Sequence, residues 1–526
     1  MSQMLKSSGA MGLAVIFSRI LGFVREAIYA WFMGDGWVAS AFALAFQIPN
    51  LFRRLLGEGA LSAAFIPIFK EKEKKAGETE MWRSANAVIS GLIAAAAVII
   101  AIAVIGISIF LAVAPHTSFV LTGKAILMLQ LLRLMFPYML LVCLAAIFIG
   151  MLNARGHFFI PAMGTTILNI MMIAAVILLA PLMGPALPQQ IFGVAIGVLI
   201  GGLAQAIYQQ GALRREGFHY RWVQPWHDPT VREVVRKMIP GMMGVAAFQI
   251  NVVVTNSMAF YVDEALVASF NYAVRLMELP QGVFGISIAT YLLPTLSALA
   301  VDKKYPEFRS TLRQAIAYLI LVNLIASLLL VVLAEPIVRL LFERGKFTDE
   351  STLRAAAALK FLAPGLILFS LTNIVARAFY ALGDTQTPMK ISVVCLVLNL
   401  IFALMLVWPY RQAGLGLANT LSAAFNLSLL LYALRRKMKH LDMDEISKTL
   451  WPLLAAAVAA GLAAYFGSRF WENSIGHAHL AQKLGSVFAP AMLAAIIYFG
   501  LTLFLKIPAA LEILALVRNK SDKPKS

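Results

Sequence analysis

The decapeptide LNARGHFFIP at residues 152–161 is echoed by FYALGDTQTP at residues 379–388, with glycine and proline at matching places. The same offset of 227 positions separates Pro137 from Pro364. Helix-bending and turn residues that recur at one offset indicate a chain built from two copies of one unit. Each copy holds six predicted helices, an even number, so the two copies face the same way across a membrane.

The composition of the whole chain is that of a polytopic membrane protein. Of its 526 residues, 60% are hydrophobic and 13% are charged, and the mean hydropathy is +0.81. Soluble globular proteins carry about 45–50% apolar and about 25% charged residues. The composition therefore excludes soluble enzymes, nucleic-acid-binding proteins and secreted disulfide scaffolds. The two cysteines, Cys143 and Cys395, lie in apolar runs and predict neither a disulfide nor a metal cluster.

The apolar runs predict an all-α fold, because a membrane-spanning helix needs about 20 mostly apolar residues. This rule gives fourteen spans. They lie near residues 9–33, 37–68, 85–113, 125–150, 159–181, 190–210, 238–261, 265–299, 314–338, 355–381, 389–408, 413–434, 450–470 and 484–510.

The first twelve spans form two parallel six-helix lobes, and the last two spans fall outside the repeat. The predicted divisions are an N-terminal lobe at 1–210, a cytoplasmic linker at 211–237, a C-terminal lobe at 238–434, a cytoplasmic loop at 435–449, the last two spans at 450–510 and a cytoplasmic tail at 511–526.

The distribution of positive charge predicts the orientation. The chain has 44 Lys and Arg residues against 26 Asp and Glu residues, and most of the cations fall in alternate loops. The positive-inside rule therefore predicts that both termini are cytoplasmic. The cations that remain within the predicted spans are Arg19, Arg25, Arg53, Arg54, Arg133, Arg275, Lys360, Arg377 and Lys506.

Five of these arginines, with three nearby glutamates, form a candidate site. Arg19, Gly22 and Glu26 share one stripe of the first predicted helix, and Arg25 is about a third of a turn away. The second and eighth spans each carry an arginine with an acid three or four positions later. The arginines are Arg19, Arg25, Arg53, Arg54 and Arg275, and the acids are Glu26, Glu58 and Glu278.

Two interpretations of this set stay open. In the first, each arginine forms a structural ion pair with its neighbouring glutamate, above all Arg54 with Glu58. In the second, the arginines in excess of the acids line a cavity where the two lobes meet and bind an anion. Arginine grips phosphate or carboxylate with two parallel hydrogen bonds, so a ligand with such a group is favoured.

Longer motifs resemble one known family. The stretches FSRILGFVREAIYAWFMG (17–34), FQIPNLFRRLLGEGALSAAFIPIF (46–69) and YAVRLMELPQGVFGISIATYLLPTLS (272–297) are similar to those of the MurJ (MviN) lipid II flippases. These proteins belong to the multidrug/oligosaccharidyl-lipid/polysaccharide exporter superfamily. LLFERGKFT (340–348) and FYALGDTQTPMK (379–390) follow in the same order, so the resemblance extends over essentially the whole chain.

The resemblance implies a transporter with no enzymatic activity and no cofactor. Its substrate would be lipid II, the undecaprenyl-diphosphate-linked peptidoglycan precursor. It would be carried from the cytoplasmic to the periplasmic leaflet of the bacterial inner membrane by alternating access. Membrane lipid and the peptidoglycan synthesis machinery are the further partners implied, with a groove for the lipid tail at the last two helices. By motif, the family's cavity arginines fall on Arg19, Arg25, Arg53 and Arg275.

The chain departs from the family at several positions. Ser40 and Val274 stand where many members carry an acid. Some members bind sodium through an acid on the tenth or eleventh helix, whereas the matching region here offers Asn373 and Arg377. These two residues are candidate substrate contacts in the second lobe. The membrane potential is favoured over sodium as the driving force.

Three other functions remain as alternatives. A flippase for another polyprenyl-diphosphate-linked oligosaccharide shares the fold and the anionic substrate, so that only the motifs distinguish it. A drug or cation antiporter would need acids in excess within its spans, and arginines are in excess here. A membrane glycosyltransferase would need a large outer catalytic loop with paired carboxylates, and the longest predicted outer loop, near 339–354, offers little room for one.

Overall fold

The structure is a computed structural model, and it describes residues 2–55, 61–114, 122–282, 286–438 and 444–521. Within these ranges every regular element is a helix, so the predicted all-α class is confirmed. Helices satisfy their backbone hydrogen bonds within one segment, which suits apolar runs of this length. The chain divides into two compact units, Met1–Ala268 and Ser269–Ser526. The predicted lobe and linker boundaries stay predictions.

The first unit is a succession of long and short helices in which α1 packs along α6 and α6 packs along α7. Its helices are α1 (Ser2–Met33), α2 (Trp37–Phe52), α3 (Ser62–Val113), α4 (Gly123–Met135), α5 (Tyr138–Ala154), α6 (Phe159–Ala174), α7 (Leu187–Arg215), α8 (Pro229–Val262) and α9 (Leu266–Pro280), the last of which continues into the second unit.

The second unit is built around a core that α11, α14 and α16 share, with Leu319, Ile374 and Ala460 fully buried in it. Its further helices are α10 (Ile286–Val301), α11 (Tyr305–Val332), α12 (Ala334–Phe342), α13 (Asp349–Leu362), α14 (Gly365–Ala381), α15 (Gln386–Met438), α16 (Asp444–Ser474), α17 (Leu480–Phe504) and α18 (Pro508–Ser521).

Each unit contains a helix pair that bends sharply at a proline. α4 and α5 meet at 44° beside Pro137, and α13 and α14 meet at 43° beside Pro364. Proline has no N–H to donate, and its ring clashes with the preceding helical turn, so a continuous helix breaks there. The two breaks are separated by the same 227 positions as the sequence motifs. The two copies of the repeat therefore fold alike at this point.

The helices after these bends end in matching turns. Gly156 and Gly383 adopt the left-handed conformation, with φ values of 87° and 74°, which glycine reaches without steric penalty. The backbone N–H groups of the next residues, His157 and Asp384, each donate at 2.9 Å to a carbonyl five positions earlier. The quoted decapeptides therefore encode the same helix-terminating turn in both units.

Side-chain contacts join each of the two turns to the last helix of its repeat. In the first unit the turn carries the basic side chains, and in the second unit it carries the acid. In the first unit His157 and Arg155 contact Glu216, just after α7, at 2.8 Å and 3.1 Å. These contacts hold the pKa of Glu216 below its usual value. In the second unit Lys437, near the end of α15, donates to Asp384 at 2.6 Å and lowers the pKa of this carboxyl to about 2. Both carboxylates therefore remain charged near neutral pH.

A buried arginine fastens the hairpin of α16 and α17 within the second unit. Arg339 of α12 is 5% exposed and donates to Glu472 of α16 at 2.8 Å and to Glu335 at 2.7 Å. Glu343 lies 3.3 Å from the Nε of Arg339 and also accepts from Lys483 of α17 at 3.0 Å. One cluster of charges thus joins α12 to both helices of the hairpin.

The helices confirm a multi-pass membrane protein, while the count of fourteen spans stays a prediction. In the described residues seven helices are long and apolar enough to cross a membrane, or nine when each bent pair counts as one span. α15 counts once although Arg411, with a φ of 46°, breaks it between the predicted spans 389–408 and 413–434. The predicted spans 37–68 and 265–299 each include residues outside the described ranges.

The packing of α13 on α15 can be tested at Gly416. A Cβ there would lie 2.6 Å from the carbonyl oxygen of Ala358 and 3.0 Å from the nitrogen of Leu362. These backbone atoms move only with their helix, so Gly416→Ala should cost about 1–3 kcal/mol of stability. The measurement is the thermal unfolding temperature of the purified protein, which is expected to fall.

Gly500→Ala is the matched control, because a Cβ at Gly500 meets no described atom within 4 Å. Alanine is the better helix former, so this variant should unfold at the same temperature as the parent protein or slightly higher. An equal loss of stability in both variants would contradict the close approach of α13 and α15.

Candidate functional site

Helix α1 carries two of the four predicted binding arginines, and polar contacts join it to α6. The Thr165 hydroxyl donates to the Ala162 carbonyl at 2.8 Å and therefore accepts from the Ser18 hydroxyl at 2.7 Å. One turn further along α6, the Asn169 side-chain nitrogen lies 3.5 Å from the Ser18 carbonyl oxygen. Hydrogen bonds between membrane helices contribute about 0.6 kcal/mol each on average, and here they fix the register of α1 on α6.

Arg25 lies largely buried against α6, with 14% of its side chain exposed. Its Nη2 forms an ion pair with the adjacent Glu26. Its Nη1 donates to the Oδ1 of Asn169 at 3.0 Å and lies 3.6 Å from the sulfur of Met172. The guanidinium carbon is 5.8 Å from the centre of the Tyr29 ring. Arg25 is therefore held from three sides.

Two polar atoms beside this arrangement are buried without a hydrogen-bond partner in the described part of the chain. They are the Nε of Arg25 and the hydroxyl oxygen of Tyr29. A buried donor left unpaired costs about 1–3 kcal/mol, so native structures seldom retain one without a reason. The Arg25 guanidinium therefore keeps one buried donor without an acceptor in the described residues.

Arg19 lies on the exposed side of α1. None of the acids in the described ranges forms an ion pair with it. A charged residue at the centre of a membrane helix costs about 2.5–3.5 kcal/mol, so its charge must face water, protein or a ligand. Of the two α1 arginines, Arg19 is the accessible one.

Arg53 follows the end of α2, where its Nε donates to the side-chain oxygen of Asn50 at 2.9 Å. This neutral acceptor orients the guanidinium without adding an opposing charge. Arg54, the next residue, is half-buried. Its predicted partner Glu58 lies outside the described residues, so the predicted Arg54–Glu58 pair stays a prediction.

Arg275 and Glu278 of α9 form an ion pair in the second unit. The Nη1 of Arg275 donates to Glu278 at 2.8 Å, and the two side chains are 43% and 45% exposed. Ion pairs this exposed contribute about 0–1 kcal/mol. The geometry is that of a local pair, and it leaves both groups accessible.

The positions that depart from the family have different surroundings. Ser40 is fully buried and accepts from the backbone N–H of Ala268 at 3.2 Å, which satisfies an otherwise open amide in the first turns of α9. Asn373 and Arg377 lie one turn apart on α14, the first exposed and the second half-buried. Neither makes a hydrogen bond to another residue of the described ranges.

Sequence reasoning missed the two asparagines that orient the arginines, Asn50 and Asn169. The signal was present, since Asn169 is an amide side chain inside the apolar run TTILNIMMI, and polar residues in spans usually bond to another helix. Its partner could not be inferred because the pairing of α1 with α6 is a contact across 144 positions.

The chemistry of these side chains is that of anion binding. Guanidinium and amide groups are available, and in the described ranges no three metal-ligating side chains come together. Apolar helices in two repeated units, with arginines on several of them, define a multi-pass membrane transporter.

The family is identified by comparison with known proteins. The model of the family described as lipid II flippase MurJ matches residues 29–484, and this chain therefore belongs to the MurJ family. A Vibrio cholerae protein described as a probable lipid II flippase MurJ is 33% identical over 479 residues, covering 89% of both chains. A Burkholderia cenocepacia protein described as lipid II flippase MurJ is 31% identical and covers 92% of this chain and 94% of its own.

Solved structures show the same fold. The structure titled lipid II flippase MurJ, inward closed conformation, matches with a TM-score of 0.75 at 22% identity, covering 94% of this chain and 98% of its own. An inward-facing multidrug resistance MATE family transporter matches with a TM-score of 0.62 at 17% identity, covering 80% and 95%. At these identities the likeness concerns the fold alone.

Thiol labelling can test the different exposure of the α1 arginines. Arg19→Cys should react readily with a charged, water-soluble thiol reagent, and Arg25→Cys should react several-fold more slowly because its side chain is buried against α6. The measurement is the rate of modification in isolated membranes. The native Cys143 and Cys395 are buried and should contribute little background.

Ala30→Cys serves as the control on the same helix, because Ala30 is fully buried and should stay unmodified. Equal rates at positions 19 and 25 would contradict the described arrangement of α1 on α6.

Proposed function

We propose that this chain is a lipid II flippase, which moves the undecaprenyl-diphosphate-linked peptidoglycan precursor from the cytoplasmic to the periplasmic leaflet by alternating access. The family match over residues 29–484 is the observation that carries this proposal. Similarity over almost the whole length of the Vibrio and Burkholderia proteins supports lipid II over another polyprenyl-diphosphate-linked oligosaccharide. The likeness to multidrug transporters is one of fold and does not favour a drug or cation antiporter.

In this proposal Arg19, Arg25, Arg53 and Arg275 bind the diphosphate. The charge of α1 supports this assignment, since Arg19 and Arg25 carry two positive charges and Glu26 carries one negative charge. A diphosphate is a compact anion that would balance the remaining charge. Its oxygens also match the paired donors of a guanidinium.

The unpaired donor of Arg25 supports the same assignment. Its Nε–H is buried without an acceptor in the described residues. A hydrogen bond between charged groups is worth about 1.5–3 kcal/mol, roughly twice a neutral one. A phosphate oxygen at this edge of Arg25 would therefore gain a strong bond and relieve the cost of the unmet donor.

The other two arginines are suited to exchange their present contacts for a ligand. The Arg275–Glu278 pair is nearly half exposed, so little free energy opposes its opening. Arg53 is oriented in part by the neutral side chain of Asn50, which accepts from its Nε at 2.9 Å.

The predicted topology gives the direction of transport. With both termini cytoplasmic, the basic loops lie on the cytoplasmic side of the bacterial inner membrane. An inside-negative potential favours outward movement of an anion by about 2.3 kcal/mol per charge per 100 mV. Asn373 and Arg377 act as substrate contacts in the second lobe. The positive charge of Arg377 opposes the binding of a sodium ion beside it. We therefore propose the membrane potential as the driving force.

The two helices of the hairpin, α16 and α17, accommodate the lipid tail. Their outer surfaces carry exposed phenylalanines, which suit contact with hydrocarbon. These residues are Phe466, Phe470, Phe488 and Phe504. Membrane lipid is thus a second partner, and the family resemblance adds the peptidoglycan synthesis machinery.

Alanine substitutions test the arginine site. Arg19→Ala, Arg25→Ala and Arg275→Ala should each fail to support growth of a bacterium depleted of its own MurJ. Each removes a charged hydrogen bond of about 1.5–3 kcal/mol, which corresponds to roughly 10- to 150-fold weaker binding. Membrane abundance of each variant, measured by immunoblot, should equal that of the parent protein.

Arg133→Ala is the matched control. Arg133 is another arginine of a predicted span, but it is exposed and lies 3.4 Å from the Ser108 hydroxyl. This variant should support normal growth. Normal growth with all three site variants would refute the proposed site, and failure of Arg133→Ala alone would show that the wrong arginines had been chosen.

A further inference from the structure

Asn169, a residue outside the sequence motifs quoted above, contacts Arg25. Asn169 of α6 is 7% exposed and lies between two points of α1. Its Oδ1 accepts from Arg25 at 3.0 Å, and its Nδ2 faces the Ser18 carbonyl at 3.5 Å. One amide therefore connects the guanidinium to the backbone of α1 seven residues earlier.

The close approach of the two helices keeps this amide in place. Gly22, between Ser18 and Arg25 on α1, faces Asn169, and a Cβ at this position would lie 3.6 Å from the Asn169 nitrogen. The Ser18–Thr165 hydrogen bond holds the same interface one turn away. With both of its ends engaged, Asn169 cannot rotate without breaking a contact to α1.

We propose that Asn169 is a positioning residue for substrate binding, which holds the Arg25 guanidinium in the orientation that binds the lipid-linked diphosphate. This inference rests on the proposed function, in which Arg25 contacts the diphosphate. Asn169 itself does not touch the ligand and acts through Arg25.

The chemistry of the side chain fits this role better than a carboxylate would. Glu26 already supplies one negative charge to Arg25. An amide orients the Nη1 group without adding a second one, so the guanidinium keeps charge to offer an anion. An acid at position 169 would still accept from Arg25, but it would lose the donor to the Ser18 carbonyl and compete with the diphosphate for that charge.

The test is the affinity of the purified full-length protein for undecaprenyl diphosphate. Asn169→Leu removes the acceptor and keeps the number and branching of the side-chain heavy atoms, and it should weaken binding about tenfold, the effect of losing one hydrogen bond to a charged group. Thr165→Val is the matched control, because it removes a hydrogen bond from the same interface without touching Arg25. It should bind like the parent protein.

Asn169→Asp provides a second variant in case the leucine disturbs folding. It keeps the acceptor for Arg25 but replaces the donor that faces the Ser18 carbonyl with an oxygen, and it should bind more weakly because the added carboxylate competes with the diphosphate for Arg25. Thermal unfolding of all variants shows which of them are folded. Parent-like binding by a folded Asn169→Asp would overturn the argument from charge and with it the proposed role.

Combining variants separates positioning from general packing. In an Arg25→Ala background, Asn169→Leu should cause no further loss of affinity if it acts through Arg25. A full additional loss, or an equal loss in Thr165→Val, would overturn the inference. If Arg25→Ala binds normally, the proposed function of Arg25 fails; if it binds weakly while a folded Asn169→Leu binds normally, only the positioning role fails.

Discussion

A guanidinium group inside a membrane-spanning helix must face water, a hydrogen-bond acceptor or a negative charge. Helix α1 carries two such groups, and their surroundings differ. Arg25 is paired with Glu26 and held by Asn169, whereas Arg19 lies exposed with no ion pair in the described residues. The polar contacts between α1 and α6 follow from this requirement, since α6 supplies the Asn169 side chain as a second acceptor for Arg25 besides Glu26. In the proposed function, an anionic ligand balances the remaining positive charge.

The architecture around these arginines rests on a second constraint, the inability of proline to continue a helix. Pro137 and Pro364 break equivalent helices at 44° and 43°, and equivalent glycines end the next helices. Ion pairs then fasten both turns, although the polarity differs: Arg155 of the first turn donates to Glu216, whereas the second turn carries the acid, Asp384, which accepts from Lys437. The two copies have thus kept the backbone geometry while exchanging the charges that secure it.

Much of this could be predicted from the sequence, because it depends on local properties of the chain. Apolar runs predicted the all-α membrane fold, and the prolines that recur at one offset indicated the internal repeat. The Arg25–Glu26 and Arg275–Glu278 pairs involve residues within one helical turn of each other. The contact of Asn169 with Arg25 could not be predicted, since it depends on which helix packs against α1. Sequence also could not show that Arg339 is buried between its near neighbours Glu335 and Glu343 and the distant Glu472, 133 positions further along the chain.

The most direct test of the proposed function follows lipid II itself between the leaflets. In a bacterium depleted of its own MurJ, expression of this chain should restore the access of an externally added lipid II-cleaving toxin to its substrate. Cleaved lipid II would then be recovered from intact cells. Lipid II that stays protected, although the chain is present in the inner membrane at normal abundance, would contradict a flippase function.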